Sequence, residues 1–77
     1  MEQKIKQDIC IGANIRRARQ AKKLGQTELA GLLQLEGLSK TREALVKLER
    51  GAQHIQASQL RAIKNALGVT YDQLLEP

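Results

Sequence analysis

With 77 residues the chain has room for one domain, since two globules of half this size could not each bury enough apolar surface to offset chain entropy. Its apolar residues are almost all Leu, Ile, Ala and Val, with Tyr71 the single aromatic, which favours small packed helices over a sandwich or barrel and sets an all-α expectation. A net charge of +5 points toward polyanionic partners rather than acidic or neutral ones.

Cys10 and His54 are the only residues of their types. An internal disulfide and a zinc site built from Cys and His are therefore excluded for a single chain, and no cofactor or metal is expected. The polar stretch Met1 to Asp8 does not read as a signal peptide, and no long apolar run reads as a membrane span, so the expected compartment is the cytoplasm.

In chain order, residues 1–10 carry no periodic pattern and are expected to form a flexible arm, with one domain over 11–77. Ile11, Ile15 and Ala18 recur at helical spacing and predict a first helix over about 12–23. Leu24-Gly25 interrupts it, and Gly25 serves as N-cap of a second helix over 26–36, with Glu28 favouring its positive end. Leu29, Ala30 and Leu33 form the inward stripe of this helix and Gly37 stops it.

Thr41, or alternatively Ser39, caps a third helix over 42–50 that ends at Gly51. Leu45 and Leu48 point inward, Ala44 lies at the margin, and Arg42, Glu43, Val46 and Lys47 are expected on the exposed side. A fourth helix over 57–67 buries Leu60, Ile63 and Leu67, with Ile55 as a hydrophobic staple across Gln56. Gly68 ends it, and Thr70 caps a last turn over 71–76.

The positive charge is localised. Between Arg16 and Arg50 there are nine basic residues against four acidic ones, whereas beyond Gly51 Arg61 and Lys64 balance Asp72 and Glu76. Two short helices joined by a few residues, the second with a polar open face, suit the DNA major groove, which admits one helix. Arg42 and Lys47 can hydrogen-bond the guanine edge and Glu43 can accept from the cytosine amino group. Glu43 is equally explained as a complement to the helix dipole. Val46, if exposed, matches a thymine methyl, or is an ordinary surface Val.

Arg19, the run Gln26-Thr27-Glu28-Leu29-Ala30, the run Lys47-Leu48-Glu49-Arg50-Gly51, and Ala66-Leu67-Gly68-Val69 followed by Leu74-Leu75 together resemble the phage repressor and Cro (XRE) family of helix-turn-helix regulators. The resemblance spans about Ile11 to Leu75. It implies a compact five-helix, lambda-repressor-like DNA-binding domain, with Thr41 to Ala44 and Lys47 at the positions that reach bases and nearby phosphates. It also implies that Gln26, with Thr27 beside it, meets a backbone phosphate at the start of the second helix. Arg19 and Glu49 are implied to form an internal ion pair. Lys40, Thr41, Arg42 and Arg50 border the same surface as phosphate contacts, and Gln53 and His54 are weaker ones.

From Gln26 to Glu49 the separation is 23 positions, about five more than in the common form of the family. The extra residues, around 34–40, are expected to lengthen the second helix and its turn, as in one branch of these proteins. Gly25 and Gln56 are weak caps.

The expected function is a DNA-binding transcriptional regulator, a repressor acting as a homodimer on a pseudo-palindromic operator. Val69, Leu74 and Leu75 are dimer candidates, although Leu74 is better explained as core. The alternative is an antitoxin or adaptor that uses the same fold to bind a toxin or other protein partner. An enzyme is the poorest reading, because nothing orients Cys10 or His54 as nucleophile or base.

Overall fold

A computed structural model describes residues 10–51 and 54–76 of the chain. The anticipated arm and Gln53 therefore fall wholly or mostly outside the described residues, with Cys10 the exposed residue just before the first helix. The described residues form five helices and no strand: α1 (Ile11–Ala21), α2 (Gln26–Leu35), α3 (Arg42–Glu49), α4 (Ala57–Leu67) and α5 (Tyr71–Leu74). Helix α1 packs on α3, α4 and α5, while α2 packs on α3 and α4. No helix is long and apolar enough to cross a membrane among the described residues.

The core is aliphatic. Ile15, Leu29, Leu33, Leu45, Ile63 and Leu74 are completely buried, and Leu48, Leu67 and Ala62 nearly so. Full burial of one such Leu or Ile side chain contributes about 1.5–3 kcal/mol relative to exposure, so these few positions carry most of the drive to fold. Leu60, expected among the buried row of α4, is only half-buried, and Ala62 takes the inward position instead. Leu74 belongs to the core, whereas Leu75 stays partly exposed and Val69 packs at the core margin.

Helix ends follow from local hydrogen bonding. Helix α1 stops at Ala21, two residues short of the expected Lys23, because Lys23 turns left-handed (φ 61°). Lys23 N–H then donates to Gln20 O and Leu24 N–H to Arg19 O, at 2.9 and 3.1 Å. That pattern closes the helix and folds Leu24 back onto the core. The same pair of bonds ends α2, with Gly37 (φ 84°) donating to Gln34 O and Leu38 to Leu33 O.

The additional residues in this turn therefore do not extend α2 beyond Leu35. They form a connector from Glu36 to Thr41 whose Leu38 packs against the core. The weak caps are compensated from within the helices. Glu28 Oε1 accepts from Gly25 N–H at 2.6 Å, and Gln59 Oε1 accepts from Gln56 N–H at 2.9 Å.

Two further contacts fix α1 against its neighbours. A Cβ at Gly12 would run into the carbonyl oxygens of Leu48 and Glu49, so only glycine lets α1 approach the end of α3 this closely. Asn14 is buried and its Nδ2 donates to Leu74 O at 2.8 Å and Glu76 O at 2.7 Å. Its Oδ1 accepts from Arg17 Nη2 at 2.7 Å, and Arg17 in turn faces Glu76 at 3.6 Å. The C-terminal segment is thereby tied to the first helix.

Candidate nucleic-acid interface

Helices α2 and α3 are braced by a buried polar network. Arg19 Nε donates to Glu49 Oε2 at 2.7 Å and Nη2 to Oε1 at 3.0 Å, a two-point contact between α1 and the end of α3. Arg19 Nη1 also donates to Leu24 O at 2.7 Å, at the entrance to α2. Gln26 Nε2 donates to Glu49 Oε1 at 3.1 Å. One carboxylate therefore ties α1, the first residue of α2 and the last residue of α3 together.

The side chains of Arg19 and Glu49 are 10% and 2% exposed. Burial of this kind demands full hydrogen bonding, and no buried side-chain polar atom lacks a partner among the described residues. The hydrogen bond to Glu49 raises the pKa of the Arg19 guanidinium above its ordinary range. Desolvation opposes that shift and the carboxylate charge adds to it.

Above this frame lies an open groove of about 690 Å³ lined by Arg16, Arg19, Gln26, Arg42, Val46, Glu49 and Arg50. It brings together residues from α1, the start of α2 and both ends of α3. Arg16 was not among the residues singled out from the sequence. Its signal was only its place on the polar side of α1, which says nothing about crossing geometry.

Val46 departs from expectation. It is half-buried and forms part of the groove wall together with residues of α1 and α2, neighbours that a helix considered alone does not have.

The outer face of α3 presents Arg42, Glu43 and Lys47, all exposed, with Ala44 half-buried beside them. Thr41 Oγ1 accepts from Ala44 N–H at 3.1 Å, so its hydroxyl caps α3. Thr27 is exposed in the first turn of α2, Lys40 is half-buried in the connector, and Arg50 is exposed at the end of α3. His54 is exposed, and Gln53 lies outside the described residues. Gln26, expected to meet a phosphate, donates one amide hydrogen to Glu49, so its second amide hydrogen and the backbone N–H groups of the first turn of α2 are the donors left for an anion.

No three His, Cys, Asp or Glu side chains come together as a metal site among the described residues. No family model, curated protein or solved structure matches the chain.

Proposed function

We propose that the protein is a sequence-specific DNA-binding transcriptional regulator, a cytoplasmic repressor that acts as a homodimer on a pseudo-palindromic operator. The observation that carries this reading is the surface of α3. This helix is braced from below by Arg19 and Glu49, presents Arg42, Glu43 and Lys47 outward, and adjoins a groove rich in arginine. A rigid helix with exposed donors and an acceptor, beside a positive groove, is what major-groove readout needs.

Lys47 and Glu43 carry the base contacts in this reading, with Ala44 supplying an apolar edge contact, whereas Val46 stays in the groove wall. Arg42 stands between base edge and backbone. Gln26, Thr27, Lys40, Thr41 and Arg50 follow the phosphates. The two α3 helices of a dimer would enter successive major grooves about 34 Å apart. No catalytic step and no cofactor are invoked.

The test is binding of the wild-type chain and of Lys47→Ala and Glu43→Ala to a selected duplex, with helicity checked by circular dichroism. Wild-type binding should fall by roughly 10³–10⁵ between 50 and 200 mM salt if the dimer makes six to ten phosphate contacts. Folded Lys47→Ala with undiminished binding would remove α3 as the reading helix.

The antitoxin or adaptor alternative draws on Leu35, which is 83% exposed near the end of α2. A single exposed leucine is common on protein surfaces and does not by itself call for a partner. Copurification of a protein at salt concentrations that strip DNA would favour the alternative.

A further inference from the structure

We propose that the groove between α1, the start of α2 and α3 is a phosphate site, and that Arg16, on a helix outside the α2–α3 pair, completes it. The ligand is a phosphate group, and its source as the DNA backbone rests on the regulator reading above.

The groove holds four arginines against one carboxylate. Arg19 and Glu49 neutralise one another at its floor, where the Glu49 side chain is 2% exposed and already accepts three hydrogen bonds, two from Arg19 and one from Gln26. Arg16, Arg42 and Arg50 are left as three positive charges at the rim, with neither an ion pair nor a side-chain hydrogen bond to any described residue. Their neighbour on α1 behaves differently, since Arg17 faces Glu76 and donates to Asn14. The arginines of α1 are thus divided by direction: Arg17 toward the C-terminal segment, Arg19 into the core, and Arg16 into the groove.

Like charges lining one groove repel one another, and a bound anion relieves that repulsion. Guanidinium forks match the oxygens of phosphate in geometry, and rim positions on α1 and both ends of α3 allow approach from more than one side. The groove is open rather than enclosed, which suits a strand of backbone passing through it. It follows that Arg42 serves the backbone and that sequence discrimination falls on Glu43 and Lys47.

Two measurements on the full chain test this. In the first, arginine Nε–H resonances are followed by NMR while inorganic phosphate is added against chloride at matched ionic strength. Arg16, Arg42 and Arg50 should shift saturably with phosphate, and Arg16→Ala should weaken the apparent affinity by about threefold or more, the loss of one charge-assisted contact. Identical curves for Arg16→Ala and wild type, or equal shifts with chloride, would overturn the site.

In the second, Arg16→Ala should reduce the slope of log K against log salt by about 0.9 per protomer and weaken selected and scrambled duplexes alike. Arg16→Lys should restore the slope. Arg17→Ala, matched in charge change, should alter it less. An unchanged slope in a folded Arg16→Ala protein would also overturn the proposal. If the wild-type chain binds no duplex, the regulator reading fails and the phosphate titration alone decides whether the groove takes a free phosphate.

Relief of repulsion further predicts that Arg16→Ala unfolds at the same urea concentration as wild type or a higher one. Lost binding in that variant would then be a loss of contact, not of fold.

Discussion

Replacing Arg19 by Ala removes both bonds that hold the Glu49 carboxylate from α1, at 2.7 and 3.0 Å, and the donor to Leu24 O. Glu49 remains buried with a single donor, Gln26, at 3.1 Å. Leaving one member of a buried ion pair uncompensated costs about 3–5 kcal/mol, and the arginine stem, itself packed, adds to the loss. Small domains hold only about 5–15 kcal/mol of stability, so the variant should lose much of its margin. At about 4–8 °C of Tm for each kcal/mol in a domain of this size, the midpoint should fall on the order of 15 °C or more.

Urea titration followed by circular dichroism gives the free energy directly. Because the Arg19 pKa is raised in the fold, its contribution is fully present below the ordinary arginine range and is lost only as pH rises beyond its folded value. A measurement at neutral pH therefore reads the whole effect. The double variant Arg19→Met with Glu49→Leu removes both charges and should be less destabilised than Arg19→Ala, since a buried pair replaced by apolar side chains is often neutral or better. A loss below about 1 kcal/mol in Arg19→Ala, the value of an exposed pair, would mean that the pair does not brace the fold. So would a double variant whose loss is the sum of the two single ones.

Three further substitutions probe the frame. Asn14→Ala strands the carbonyls of Leu74 and Glu76 and should cost about 1–3 kcal/mol; amide exchange over α5 should accelerate most, and unchanged protection there would deny the tie. Gly12→Ala places a methyl against the Leu48 and Glu49 carbonyls, and despite the roughly 1 kcal/mol that Ala gains over Gly inside a helix the urea midpoint should drop. A midpoint equal to or above wild type would show that α1 shifts freely. Thr41→Ala deletes the acceptor for Ala44 N–H and should lower stability by about 1 kcal/mol, a change that Thr41→Ser should largely avoid.

Periodicity and burial agree for Ile15, Leu29, Leu33, Leu45, Leu48, Ile63 and Leu67, all core, whereas Ile11, Ala18 and Ala30 of the same stripes are only half-buried. Periodicity is less informative where size matters more than hydropathy. Ala62 is buried while Leu60 is half-buried at the core margin, and alanine, common on any face of a helix, gives no sign of that. Asn14 reads as a surface residue until the C-terminal segment, some 60 positions away in sequence, supplies its acceptors. Lys23 in a left-handed conformation ends α1 without the glycine that usually marks such a position.

The candidate interface divides in the same way. The exposed face of α3 follows from its own helical phase, apart from Val46, which is half-buried in the groove wall. The resemblance to phage repressors implied the pairing of Arg19 with Glu49, and the two side chains meet at 2.7 Å. The groove and Arg16's place in it depend on how α1 crosses α3, which no spacing within one helix encodes. That crossing rests on Gly12, a residue whose role is visible only once the Leu48 and Glu49 carbonyls stand beside it.

Whether α3 reads DNA as part of a dimer is decided by selecting bound sequences from a pool of random duplex DNA. The enriched motif should be two-fold, with half-sites about one helical turn, roughly 34 Å, apart, and enrichment should be lost in Lys47→Ala. Recovery of no motif by the folded wild-type chain at low salt, or the same motif with Lys47→Ala, would contradict DNA reading by α3.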